Sequence, residues 1–168
     1  MARTIALMLL AALSLVTAAD LGAQPGGSLA QKAVGTWAVA SQYVEQDGKR
    51  LQPFGDKPKG RVMYDDKGRF MLIAQRSDLP KFASNNRMTG TPDEYKAIGQ
   101  GTIAYYGTYT IDEKEGTITQ RYEGSTYPNW DGDEQKRLIS ISGDELRIIS
   151  PFSSVGGGKA YLVLTRMN

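Results

Sequence analysis

Cysteine and histidine are both absent from this chain of 168 residues. Without cysteine there is no disulfide, no thiolate metal site and no cysteine-linked lipid anchor, so the fold rests on its core alone. Without histidine there is no Ser-His or Cys-His nucleophile system, no His-ligated zinc and no imidazole general base. Any catalysis must then run on carboxylate, Lys, Tyr or Ser/Thr chemistry. Charge of one sign is lacking too: 20 Lys and Arg stand against 18 Asp and Glu, intermixed along the chain, for a formal charge of +2. No basic stripe marks a nucleic-acid or anionic-lipid surface, so neither is an expected partner.

Long apolar runs are scarce, and the one present lies at the start. Arg3 supplies a positive n-region, Ile5 to Val16 an apolar core, and Thr17-Ala18-Ala19 small residues before a cleavage point, the layout of a secretory signal over residues 1–19. The run falls short of the about 20 apolar residues a retained membrane helix needs. The expectation is a mature chain beginning near Asp20, with no integral membrane segment, in the periplasm or secreted. Residues 20–28, with Pro25-Gly26-Gly27, read as a flexible leader. Residues 29–168 read as one domain, expected to be monomeric.

Within that domain the dominant signal is short apolar or alternating runs between Gly, Asp and Asn turns, about nine of them, the pattern of an all-β sandwich or barrel. Gly35 to Gln46 is rich in Trp, Val and Tyr and ends at Asp47-Gly48, a tight-hairpin pair followed by a return segment to Pro53. Gly60 to Asp65 and Arg69 to Arg76 flank Asp66-Lys67-Gly68, where glycine accepts positive φ. Thr102 to Asp112 pairs with Thr117 to Gly124, and Lys136 to Ser142 with Glu145 to Ser150 across Gly143-Asp144. Ala160 to Arg166 is a plausible closing strand. One segment differs: Thr91 caps, Pro92 opens and Asp93 and Glu94 favour the first turn of a short helix ending at Gly99 or Gly101, placed to cover one mouth of a barrel. The stretch from Ser77 to Gly90 before it is too long for a plain connection and reads as a rim loop.

Gly35-Thr36-Trp37 resembles the Gly-x-Trp opening of the lipocalin superfamily. Together with Pro53-Phe54-Gly55, Pro58-Lys59-Gly60-Arg61-Val62-Met63-Tyr64, Gly68 and Tyr105-Tyr106-Gly107-Thr108-Tyr109, it looks like the bacterial and fungal lipocalin-like domain family over roughly Ala33 to Arg166. The resemblance implies an antiparallel barrel of eight to ten strands with a ligand-sized cavity, in a family mostly without assigned activity. It also implies that Trp37 seals one end, with Arg166 laid over its indole as a structural cation-π contact. Two departures from the vertebrate-type pattern restrict the likeness to the lipocalin-like branch: no mid-chain Thr-Asp-Tyr motif and no long helix after Arg166.

The candidate ligand-binding residues are Tyr64, Met71, Arg76, Tyr95, Tyr105, Tyr109 and Tyr122. Tyrosines offer flat apolar area with a hydroxyl handle, suited to an aromatic or lipid-like guest, though tyrosine is also simply a favoured strand residue. Alternation puts Ile103, Tyr105 and Tyr109 on one face and Tyr106, Thr108 and Thr110 on the other, and only one set can face inward. Met71, with Met63 and Met88, is either an adaptable pocket wall or plain core and loop. Arg76 is either a fork for a ligand carboxylate or a solvated rim charge. The carboxylate groups at Asp65-Asp66, Asp112-Glu113-Glu115 and Asp131-Asp133-Glu134 sit at turns and read as turn chemistry. Asn129, Asp131 and Asp133 do not make a calcium loop, because Glu134 stands where glycine is required. Gly156-Gly157-Gly158-Lys159 lacks the Ser/Thr and the first glycine of a phosphate loop. No metal and no cofactor is therefore expected.

The leading expectation is a barrel that binds a small apolar or amphipathic molecule inside. The alternatives are a barrel enzyme of isomerase or cyclase type, which would need a buried acid such as Glu45 or Glu123 turned inward, or a barrel filled by its own side chains that serves as a scaffold for a protein partner.

Overall fold

The run Gly35–Gln46 forms one long strand, β1, in the computed structural model, which describes residues 27–167. The signal segment 1–19 and most of the leader lie outside the described residues. β1 turns back at Asp47 and Gly48, whose φ angles of 50° and 71° are both in the left-handed region, as a two-residue type I′ hairpin requires. The return strand β2 (Lys49–Leu51) pairs with the far end of β1 and stands at the edge of the sheet.

Seven more strands follow: β3 (Lys59–Tyr64), β4 (Arg69–Gln75), β5 (Thr102–Asp112), β6 (Thr117–Ser125), β7 (Glu134–Ser142), β8 (Glu145–Ser150) and β9 (Lys159–Arg166). From β3 onward each pairs antiparallel with the next, and β1 pairs with both β3 and β9. Eight strands thus close into a barrel, with β2 as an extra strand outside it. β1 uses both of its edges, so that Trp37 and Ala38 pair with β3 on one side and β9 on the other, and a bulge between Val39 and Ser41 shifts its register against β9. A second shift, between Tyr106 and Gly107, lies where β5 meets β6. There a Cβ on Gly107 would overlap the Arg121 carbonyl oxygen, so only glycine lets the two backbones approach.

Period-two alternation sorts the side chains. On β5, Ile103, Tyr105 and Tyr109 are buried while Tyr106, Thr108 and Thr110 are exposed. On β4, Phe70, Leu72 and Ala74 face the core and Met71 and Ile73 face out. The inward sets join Trp37, Val39, Val62, Tyr64, Ile118, Tyr122, Ile139, Leu146, Ile148, Leu162 and Leu164 in one core.

The antiparallel order gives the barrel two ends. One carries the tight turns after β3, β5 and β7 and a short helix, α1 (Leu29–Ala33), capped by Ser28 and Gln31 in a capping box. This end is sealed. Trp37 is fully buried and donates its indole N–H to the Ala33 carbonyl at 2.8 Å, and the Arg166 guanidinium lies 4.1 Å from its ring centre. The expected cation-π contact is present.

The other end, the mouth, carries the longer connections 52–58, 76–101, 126–133 and 151–158. The expected helix, α2 (Pro92–Gly101), is here, with the Thr91 hydroxyl accepting from the Glu94 N–H and the Glu94 carboxylate accepting from the Thr91 N–H at 2.7 Å. It holds the rim loop: Glu94 also accepts from the Ala83 N–H, and the Tyr95 ring packs on Phe82. The mouth itself is filled by other residues, Phe54 of the 52–58 connection and Trp130 of a one-turn 3-10 helix (Pro128–Trp130).

Candidate functional site

The barrel interior is an aromatic cage. Tyr64 meets Tyr109 edge-on with ring centres 4.9 Å apart, and Phe70 meets Tyr105 and Tyr122 edge-on at 6.0 Å each. Tyr105 and Tyr122 are 5.2 Å apart, and Trp130 comes down from the mouth onto both, at 5.6 and 5.3 Å. Edge-to-face pairs at these separations place the positive ring edge on the negative ring face and lock the cluster. Below Trp130 a cavity of about 30 Å³ remains, bordered by Gln42, Ile103, Tyr105, Arg137, Ile148 and Leu162 among others.

Polar groups project into this apolar shell. Gln120, Gln135 and Arg137 are buried, and the Arg137 Nη2 donates to Gln135 Oε1 at 2.7 Å. The Tyr122 hydroxyl points to the same oxygen at 3.4 Å. Gln42 Oε1, Tyr64 Oη, Thr117 Oγ1, Gln120 Oε1 and Arg137 Nε are buried without a partner among the described residues. Each such group left unpaired costs about 1–3 kcal/mol. Burial pushes the Tyr64 and Tyr122 hydroxyls well above the ordinary phenol range, with the neighbouring Tyr105 acting in the same direction. Both stay protonated, and of the two only the Tyr64 hydroxyl is without a partner among the described residues.

Of the seven residues singled out from sequence, Tyr64, Tyr105, Tyr109 and Tyr122 are brought together inside the barrel. Tyr109 is already engaged, donating its hydroxyl to the Asp65 carbonyl at 2.7 Å at the sealed end. The other three lie elsewhere. Met71 is on the outer wall, 55 % exposed, because Phe70 and Leu72 on either side take the inward face. Arg76 is exposed and pairs with Asp78 two residues on, at 2.9 and 2.7 Å. Tyr95 is held against Phe82 on the rim, its hydroxyl accepting from the Gly90 N–H at 2.7 Å. Glu45 and Glu123 are both exposed, so neither offers the inward acid that barrel chemistry requires.

Two interior residues escaped the sequence reading. Arg137 follows from β7 alternation, since Gln135, Arg137, Ile139 and Ile141 share a face while Lys136 and Leu138 take the other. Trp130 carried a weaker signal, an aromatic two residues after a proline in a turn.

The outer wall has its own feature. Met63, Met71, Ile73 and Tyr106 are about half exposed and line an open groove of about 560 Å³ across β3, β4 and β5. Among the described residues no group of three or more acidic side chains is arranged to hold a metal ion, and no helix is long and apolar enough to cross a membrane.

A closed eight-stranded antiparallel barrel, sealed by a Gly-x-Trp strand and a late arginine, defines a lipocalin-type architecture. The chain belongs to the lipocalin-like domain family, whose model matches residues 34–165. It is 29% identical over 79 residues to a 4'-hydroxy-3'-methoxypropiophenone carrier protein of Aspergillus oryzae, a match covering 44% of this chain and 71% of the relative. Among solved structures it is similar to a lipocalin-like protein of Bacteroides uniformis, with a TM-score of 0.45, 15% identity and coverage of 80% and 98% of the two chains. A fatty acid transporter has a TM-score of 0.39 at 11% identity, covering 82% and 98%.

Proposed function

We propose that this protein is a carrier that holds one small, largely apolar molecule inside the barrel, entering at the mouth past Trp130. The observation that carries the reading is the interior itself: an aromatic cage around Tyr64, Tyr105 and Tyr122 in which Gln42, Tyr64 and Gln120 keep buried polar atoms without protein partners. A barrel evolved only as a filled core would gain stability by replacing such groups with apolar ones. Flat rings with a few convergent polar atoms are what orient an aromatic guest. The carrier name of the Aspergillus oryzae relative supports the same class of guest, a substituted aromatic ketone.

The cavity of about 30 Å³ holds a water, far below the roughly 300 Å³ of a small-molecule site. Loading therefore requires Trp130 to leave the cage. Its ring is held there by aromatic contacts with Tyr105, Tyr122 and Tyr127, on a one-turn helix between β6 and β7, so the guest replaces those contacts with its own. The N-terminal signal-like segment supports a role outside the cytoplasm, which fractionation of cells producing the full chain with a C-terminal tag tests directly.

Native mass spectrometry against a panel of fatty acids, isoprenoids and aromatic ketones and acids tests the carrier reading. One guest per chain is expected, with Trp130 emission changing on loading and that change lost in Trp130→Phe. A protein that stays empty across the panel overturns it. A second reading rests on the outer groove of Met63, Met71, Ile73 and Tyr106, an apolar area of the kind that marks a protein contact. In that reading the barrel is a scaffold for a protein partner.

A further inference from the structure

Arg137 is 6 % exposed and points into the barrel from mid-β7. A guanidinium keeps its proton at any physiological pH, so a full positive charge sits in the core. Charges in such places are normally met by a carboxylate, because dipoles alone do not repay the loss of water. Here none is present: among the described residues, no Asp or Glu oxygen comes within 4.0 Å of its nitrogens, and the arginine ion pairs that form, at Arg69, Arg76, Arg147 and Arg166, involve other side chains. Its surroundings are neutral. Nη2 donates to Gln135 Oε1, the Tyr105 hydroxyl lies beside it, and the Tyr122 and Trp130 rings stand 5.7 Å from the guanidinium carbon. Nε has no partner among the described residues, and the side chain borders the small cavity beneath Trp130.

We propose that Arg137 is the anchor for an oxyanion carried by the guest, and that the guest class is a small aromatic acid, its carboxylate or acidic phenolate oxygen on Arg137 and its ring in the tyrosine cage. The proposal rests on the carrier reading above. A guanidinium presents five donors in a planar fork that matches a carboxylate, and one donor is already idle. The anion sits where Trp130 is withdrawn, so the ring that shields the cation in the empty barrel gives way to the charge that neutralises it. The neutral residues around Arg137 then have a reason: a protein carboxylate there would satisfy the charge permanently and exclude an acidic guest. Tyr64 Oη, buried and unpartnered in the same cage, adds a neutral donor for the second oxygen.

Calorimetric titration of the protein with 4-methoxycinnamate and with its neutral amide separates charge from shape. The acid is expected to bind at least tenfold tighter than the amide. Arg137→Met, similar in length and uncharged, is expected to bring the two affinities within about twofold, and Arg137→Lys to keep part of the preference. Equal affinity of acid and amide in the wild-type protein overturns the anchor while leaving the carrier reading standing, as does a preference that survives Arg137→Met. If the wild-type protein binds neither probe the anchor falls, and if it also stays empty across the wider panel the carrier reading falls with it. Where Arg137→Met fails to fold, Arg137→Gln serves in its place, with the same loss of preference expected and the same survival of preference overturning the anchor.

Discussion

Arg166 lies flat over Trp37, guanidinium carbon 4.1 Å from the ring centre, and donates to the carbonyls of Lys32 and Val34 at 2.6 and 3.3 Å. One side chain from the last strand thus fastens the first strand and the segment before it, closing the barrel where β1 meets β9. Arg166→Ala removes a cation-π contact worth about 0.5–2 kcal/mol and two charged hydrogen bonds from a side chain only partly open to water. The expected loss is about 2–3 kcal/mol in denaturant unfolding, with Arg166→Lys recovering part of it. A loss below about 0.5 kcal/mol would contradict this role.

Tyr109 separates a structural tyrosine from those of the cage. Its hydroxyl secures the Asp65 carbonyl at the β3–β4 turn, and burial with the nearby Asp65 and Asp66 charges raises its pKa above the ordinary phenol value. Tyr109→Phe is expected to cost about 1 kcal/mol of stability in the same unfolding assay. Guest affinity should stay within about twofold of wild type, whereas Tyr64→Phe should weaken it.

The dependence of stability on pH follows from the missing histidine and from surface carboxylates. Asp65 is held below the usual range first by the Arg69 backbone N–H, Asp78 by the Arg76 guanidinium, Glu94 by the Ala83 N–H, and Glu113 by the Ser28 hydroxyl and the Ala30 N–H. A carboxylate with a depressed folded-state pKa contributes stability that is present above its unfolded value and is lost as pH falls through the folded one. With no imidazole in the chain, the melting temperature should be flat between about pH 6 and 8 and fall below about pH 4. Thermal melts followed by circular dichroism check this, and Asp65→Asn should reduce the acid sensitivity.

Much of the frame was legible in the sequence because hairpin chemistry is local. Asp47-Gly48 favoured a tight hairpin turn and made one, β5 took the bounds and the alternation its residues implied, and Thr91-Pro92 capped a helix as written. The candidate site was legible only in part. On β4 both faces are apolar, Phe70, Leu72 and Ala74 against Met71 and Ile73, so alternation could not say whether Met71 faced the core. Arg76 and Tyr95 were placed by Asp78 and by Phe82 across the rim loop, pairings that depend on a loop geometry that composition does not encode. Arg137 hid behind the rule that charges lie outside, although its β7 face predicted otherwise. How far the interior is filled depends on Trp130 and Phe54 reaching in from separate connections, a long-range fact with no local signature.

The choice between the barrel interior and the larger outer groove is decided by mapping the guest onto the chain. Nuclear magnetic resonance of the protein, labelled at aromatic and methyl positions and titrated with the tightest member of the guest panel, reads both surfaces at once. Binding inside the barrel predicts that Tyr64, Tyr105, Tyr122 and Trp130 shift together with Ile103 and Ile148, while Met63, Met71 and Tyr106 stay where they are. Shifts confined to Met63, Met71, Ile73 and Tyr106 would contradict the interior site and give the function to the outer wall.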